Sequence, residues 1–141
     1  MYRELFKKHN LKFSKPREAI YNLLYESKIA LTADDISDLL RNDSSINLST
    51  IYRTLNAFVE CNLAEKTIMQ NQIAYYEIVK EEHKHYFLCE VCDELTPLNE
   101  CPIHDLENSL AKEFGFKINS HTLEFTGICK NCLEKQNENR K

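Results

Sequence analysis

An α+β fold in two units is predicted by three features of the 141-residue sequence. Helical periodicity is concentrated before residue 65, and two short β-like runs follow it. Every residue of the paired ligand patterns, HxH and CxxC, lies after residue 82.

The elements of the first unit can be justified in order. Pro16 suits the first turn of a helix, where its missing N–H costs nothing, and Ala19, Ile20, Leu23 and Leu24 then recur with helical spacing. Thr32 caps a second helix, with Asp34 and Asp35 favourable in its first turn and Ile36, Leu39 and Leu40 as its apolar stripe. Asn47 or Ser49 caps a third, whose inward face is Ile51, Leu55, Phe58 and Val59. The runs AEKTIM and IAYYEI flank the polar turn QNQ and form a hairpin. Three helices followed by a β-hairpin is the order of a winged helix-turn-helix.

In the second unit, HYFLC and ELTPL read as strands around the CEVC turn. Pro102 opens a helix with Ile103, Leu106, Leu110 and Phe114 inward, and Gly115 ends it. The run HTLEFTGIC alternates, placing His121, Leu123 and Phe125 on one face of a last strand. This is β-β-α-β, a small sheet covered on one side by a helix, with a polar, frayed tail from Gln136. The expected boundaries are a winged-helix domain over 1–78, a hinge over 79–84 and a metal-binding domain over 85–141. Roughly 60 residues make a poor independent core, so a metal staple, a dimer interface or both are expected.

No apolar run is long enough to span a bilayer, and MYRELFKKHN lacks the apolar segment of a signal peptide, so a cytoplasmic protein is expected. In that compartment six cysteines are metal ligands or buried thiols sooner than a disulfide framework. The net charge of −4 is uneven. Residues 1–80 carry 11 Lys+Arg against 10 Asp+Glu, residues 81–141 carry 7 against 12, and residues 1–17 alone carry six basic side chains to one acidic. Such a basic arm suits a polyanion, and equally suits a solvated helix face.

The strongest chemical signal is Cys89-x-x-Cys92 with Cys129-x-x-Cys132. Each CxxC brings two thiolates to one ion, and two complete a tetrahedral shell of four sulfurs. The 36 intervening residues hold one helix and a strand. Buried free thiols or a redox dithiol are the alternatives, but neither CxxC sits at the start of a βαβ helix. Structural zinc is the better reading, contributing on the order of 10 kcal/mol to folding. Four cysteines fill that site, which leaves His83, His85, His104 and His121 over. On neighbouring elements they form a candidate second, regulatory divalent-metal site, and imidazoles suit zinc, nickel or copper. Cys61 reads as a buried small hydrophobe and His9 as surface. Cys101 is either a neighbour of the metal site or an exposed thiol, with the plain thiol favoured. On the third helix Ser49, Thr50, Tyr52, Arg53 and Asn56 are left pointing outward or sideways, and such side chains can meet phosphates and base edges in a major groove.

At these residues the sequence resembles the ferric uptake regulator family of dimeric metal-sensing bacterial repressors. LSTIYRTLNAF resembles the family's recognition helix, FSKPREAI its N-terminal helix motif, and HKHYFLCEVC with GICKNC its metal-binding half. The resemblance implies a winged helix that binds a palindromic, AT-rich DNA operator and a C-terminal dimerisation domain with structural zinc at Cys89, Cys92, Cys129 and Cys132. It implies base contacts from Tyr52 and Arg53, with Lys15 and Arg17 near the backbone or minor groove. The family's oxygen-rich hinge site is largely replaced: its positions fall on Ala30 or Leu31, Lys84, Tyr86 and Pro97, and only Glu77 is kept. A second family site falls on His83, His85, His104 and His121, all histidine here, and the segment Glu100–Ile103 resembles the zinc-sensing branch. Asp93 stands where a glycine is usual after the first CxxC.

The expectation is therefore a zinc-responsive repressor that binds duplex DNA as a homodimer and is not an enzyme. An iron, nickel or peroxide sensor is the rival within the family. A zinc hydrolase or dithiol oxidoreductase is the rival outside it, although a catalytic zinc keeps an open position that four histidines would close.

Overall fold

The computed structural model describes residues 2–80, 84–98 and 100–139, in two compact units that divide between residues 81 and 82. Half of the expected hinge (residues 81–83, including His83) lies outside the described residues.

The first unit begins with a helix that sequence reasoning treated as part of a basic arm. α1 (Arg3–Lys8) buries Phe6 completely, with its ring 5.7 Å from Tyr21 and 5.8 Å from Phe58 between centroids. His9, expected at the surface, is half-buried, and its Nδ1 donates to the Cys61 carbonyl at 3.0 Å. One aromatic at the right turn of a charged hexamer is enough to dock it, because Phe buries a large apolar area.

Caps set the next three helices. Ser14 accepts from the Arg17 N–H at the start of α2 (Lys15–Glu26), and Pro16 sits in its first turn. Thr32 and Asp35 bond reciprocally at 3.0 Å, side chain to backbone each way, opening α3 (Ala33–Leu39). Asn47, not Ser49, caps α4 (Leu48–Glu60) by accepting from the Thr50 N–H at 2.8 Å. Ile51, Leu55 and Phe58 are fully buried, joining Ile20, Leu24, Ile36 and Tyr76 in one core. Leu39, expected in the stripe of α3, is exposed because the helix ends there. β1 (Ala64–Ile68) pairs antiparallel with β2 (Ala74–Ile78) from Ala64↔Ile78 to Ile68↔Ala74, making the wing. Leu31 and Tyr76 exchange backbone bonds of 2.9 and 2.7 Å, so the segment before α3 is stitched to the sheet.

In the second unit, β3 (His85–Cys89) lies between β4 (Leu95–Leu98) and β5 (Glu124–Gly127), antiparallel to the first and parallel to the second. The parallel pair needs a crossover, supplied by α5 (His104–Phe114), which ends at Gly115 with φ +74°. Two expectations are corrected here. α5 buries none of its residues within the chain, and Leu106 and Phe114 are more than half exposed. A helix that the sequence reading did not place, α6 (Lys130–Asn139), follows Cys129 and continues to Asn139 through part of the tail expected to fray from Gln136; its one buried residue is Cys132. The buried apolar side chains of this unit are few: Tyr86, Leu88 and Leu95, with Cys89 and Cys132.

Phe6→Ala is expected to destabilise the first unit by about 3–5 kcal/mol, the usual cost of emptying a packed phenylalanine site. Denaturant melting followed by tyrosine fluorescence would register it. An unchanged midpoint would mean that α1 is peripheral.

Candidate metal centres and nucleic-acid face

The first CxxC closes the β3–β4 turn. The Asp93 N–H bonds the Cys89 carbonyl and the Cys89 N–H bonds the Glu94 carbonyl, both at 3.0 Å, with Asp93 at φ +61°. Aspartate is among the few side chains that tolerate this left-handed conformation, so it can stand where glycine is usual. The second CxxC is not a free turn. Cys129 accepts, through its carbonyl, the N–H of Leu133 as α6 begins, so Cys129 and Cys132 lie one helical turn apart.

All four sulfurs lie within 4.8 Å of one another, Cys89 to Cys132 at 3.8 Å and Cys92 to Cys129 at 3.9 Å. These separations are far too long for disulfides, whose sulfurs stand about 2.05 Å apart. A tetrahedral ion with Zn–S bonds of about 2.3 Å has ligand sulfurs about 3.8 Å apart, so the cage fits zinc. Electrostatics point the same way. The backbone N–H groups of Cys129, Cys92 and Val91 all aim at Cys89 Sγ, at 3.4, 3.5 and 3.4 Å, and draw its thiol down to about 6. Cys132 is pushed up to about 12 by the adjacent Cys129 sulfur and by burial. One thiolate is thus prepared in advance, while four together require a cation.

A second group of possible ligands lies in the same unit. His85, Cys101 and His121 bring their ligand atoms together within 4.8 Å. His85 Nδ1 lies 3.2 Å from the Leu123 carbonyl, which can only accept, so Nδ1 carries the proton. His121 Nδ1 contacts the Glu107 carboxylate, which fixes the same tautomer there. Both Nε2 atoms therefore present lone pairs, and they face each other at 2.8 Å. Two facing lone pairs repel unless a proton or a metal ion lies between them. Orienting each imidazole through its other nitrogen is the arrangement that metal-binding histidines use.

The sequence-expected residues are thus distributed unevenly. Cys89, Cys92, Cys129 and Cys132 share one cluster, and His85 and His121 share another. His104 is not brought to it; it is exposed at the first residue of α5. Cys101 and Glu107 hold the places near His121 instead. A signal for them exists in the sequence, where Cys101, His104 and Glu107 follow at intervals of three; the family resemblance and the imidazole both point to the middle one.

On α4, Ser49, Tyr52, Arg53 and Asn56 are exposed. Thr50 is half-buried, its hydroxyl 3.0 Å from Asn47 Oδ1 and 3.4 Å from Arg53 Nη2, so it steadies the cap and the guanidinium. Lys15 is exposed, whereas the Arg17 guanidinium donates to the Lys12 carbonyl at 2.6 Å and braces the loop before α2.

A helix-turn-helix unit with a wing, followed by a small sheet carrying clustered metal-ligand side chains, defines a metal-responsive transcription regulator. The ferric uptake regulator family matches residues 8–126, and the chain belongs to that family. It is 31% identical over 132 residues to the ferric uptake regulation protein of Bacillus subtilis, covering 90% of this chain and 89% of that protein. It is 28% identical over 135 residues to the peroxide operon regulator of the same organism, covering 95% and 92% respectively. The structure of the Helicobacter pylori ferric uptake regulator, described as having three functional metal binding sites, superposes with a TM-score of 0.80 at 28% identity, covering 93% of this chain and 88% of that one. These relatives are transcription regulators, not enzymes. Among the described residues no helix is long and apolar enough to cross a membrane.

Zinc uptake by the four-cysteine cage is expected to release protons at pH 7, since Cys132 must ionise on binding. Cys89→Ser should lower metal content by about one ion per chain and remove the cooperative melting of the second unit. A variant that keeps its ion and its melting profile would rule out the structural role.

Proposed function

We propose that the protein is a zinc-responsive repressor that binds a palindromic DNA operator as a cytoplasmic homodimer. Zinc is held structurally by Cys89, Cys92, Cys129 and Cys132, and a second, regulatory zinc is held at His85 and His121. The observation that carries the regulatory half is the pair of facing Nε2 lone pairs, 2.8 Å apart and each fixed by the opposite nitrogen of its ring. A bound zinc ion supplies a shared Lewis acid there and no redox chemistry.

Donor chemistry favours zinc over iron or manganese. Of the positions of the family's oxygen-rich site only Glu77 offers a ligand suited to a divalent ion: Ala30 and Tyr86 are buried, Leu31 is stitched to β2 and Pro97 lies in β4. The nitrogen and sulfur donors that remain suit zinc better than a hard cation. The coupling runs through His85, the first residue of β3, which directly follows the 79–84 segment. Fastening His85 to His121 orders the start of β3 and so restricts how the winged helix can be presented. The DNA face is the exposed row Tyr52, Arg53 and Asn56 of α4, with Ser49 at its first turn and Lys15 on α2 at the phosphates. Support for the homodimer comes from Leu106, Phe114, Phe116 and Phe125, four apolar side chains exposed in one small unit, two of them stacked at 5.2 Å.

The test is zinc titration of protein that already holds one ion per chain, with binding followed to duplexes selected from a random pool. Uptake of a second ion should switch on binding whose log K falls by roughly 0.9 per phosphate contact per log unit of salt. The double variant His85→Ala with His121→Ala should remain a folded dimer and lose that switch. Operator affinity unchanged at saturating zinc would sink the proposal. Arg53→Ala should cost about 1–3 kcal/mol of specific affinity and relax preference at one base position, whereas Lys15→Ala should weaken all sequences alike.

A further inference from the structure

We propose that Cys101 is a thiolate ligand of the second metal centre, taking the place that chain position would give to His104. The inference rests on the regulatory site proposed above and fixes its donor set: His85 Nε2, His121 Nε2 and Cys101 Sγ.

Distance carries the first part of the argument. An ion bonded to nitrogen at about 2.0–2.1 Å and to sulfur at about 2.3 Å sets those two donors about 3.6 Å apart in a tetrahedron. Cys101 Sγ stands 3.5 Å from His121 Nε2. The two Nε2 atoms are closer than the roughly 3.3 Å that the same geometry gives, so the rings separate by about half an ångström on binding. His104 is exposed and lies outside the group whose donors converge.

Charge carries the second part. His85 is buried, with 6% of its surface exposed. A dication ringed only by neutral imidazoles would leave its full charge in that partly dry place, at a considerable desolvation cost. A Cys101 thiolate removes one unit, and the Glu107 carboxylate on His121 offsets another through the ring. The set is then near neutral. Sulfur also raises preference for soft and borderline ions, such as zinc or cadmium, over magnesium, manganese or ferrous iron. Binding is written as loss of the Cys101 thiol proton to solvent with formation of a metal–sulfur bond; nothing is oxidised.

The experiment uses the full chain with zinc in the four-cysteine cage and adds one equivalent of Co2+. Zinc is assayed per chain throughout, to show that it is not displaced. The expected result is a near-ultraviolet thiolate-to-cobalt charge-transfer band in the native protein. Cys101→Ser should lack that band and bind cobalt at least tenfold more weakly. His104→Ala should keep both the band and the affinity. Alkylation mapping of the unsubstituted protein gives a second readout, independent of whether the variant folds: Cys101 should become resistant to iodoacetamide when the second ion is bound. Cobalt uptake with no thiolate band and no protection would overturn the Cys101 assignment while leaving the regulatory site intact. Failure to take up a second ion at all would overturn both.

Discussion

Mutual repulsion of four converging sulfurs is the constraint on which the C-terminal unit depends. Its three short strands bury only Tyr86, Leu88 and Leu95 beside two of the cysteines, too little apolar surface to hold roughly 60 residues by themselves. The ends of the unit are instead brought together at one point. The β3–β4 turn supplies two thiols and the first turn of α6 supplies two more, from residues some 40 positions along the chain. Backbone N–H groups aimed at Cys89 lower the cost of the first negative charge, and a cation must balance the rest. With a structural ion in this cage, folding of the unit and metal binding would be one equilibrium.

The histidine group obeys the same logic at a lower charge. In the cage, main-chain donors prepare a thiolate; here a carbonyl and a carboxylate fix which nitrogen of each imidazole bears the proton. Both devices lower the cost of binding because the donors are already oriented, with only a small separation of the two rings left to make. With fewer thiolates and partial exposure, the proposed second site would bind its ion more weakly and exchange it faster. A structural ion that fills during folding and a second that exchanges at working concentrations can thus coexist in one small unit without competing for ligands.

Local chemistry was legible in the sequence wherever a single residue type decides it. Thr32, Asn47, Pro16 and Gly115 mark helix ends because caps and φ constraints act over three or four residues. The cysteine spacing marked a cage for the same reason. What the sequence concealed depended on packing between distant segments. α1 is a short charged helix held by one buried ring, and nothing within the hexamer reports that Phe58 waits 52 residues later. α6 is polar throughout, its end from Gln136 reads as tail, and it is anchored through Cys132. α5 shows an apolar stripe that pattern assigns to the chain's own sheet, yet pattern cannot distinguish burial against the same chain from burial against another. His104 differs from these: chemical type and place along the chain make it a ligand candidate, while the start of α5 leaves it exposed and apart from the converging donors of His85, Cys101 and His121.

The division of labour between the units follows from where their charges lie. The C-terminal unit is acidic, with 7 basic against 12 acidic side chains from residue 81 onward, so it repels a phosphate backbone. Contact is left to the N-terminal unit, close to neutral overall but with its basic residues gathered in the first 17 positions and Arg53 on the exposed face of α4. A unit so weakly charged gains little from electrostatics alone, so the proposed homodimer would draw its sustained affinity from two copies engaging together. On the proposed function, metal acts by setting the probability that both copies are correctly presented, not by adding contacts to DNA. Such coupling is reciprocal: if the second ion tightens operator binding about 100-fold, worth about 2.7 kcal/mol, the operator tightens the second ion equally. The metal-loaded state on DNA would then persist to lower free metal than the unbound protein does, so that release from the operator lags behind metal loss measured off it.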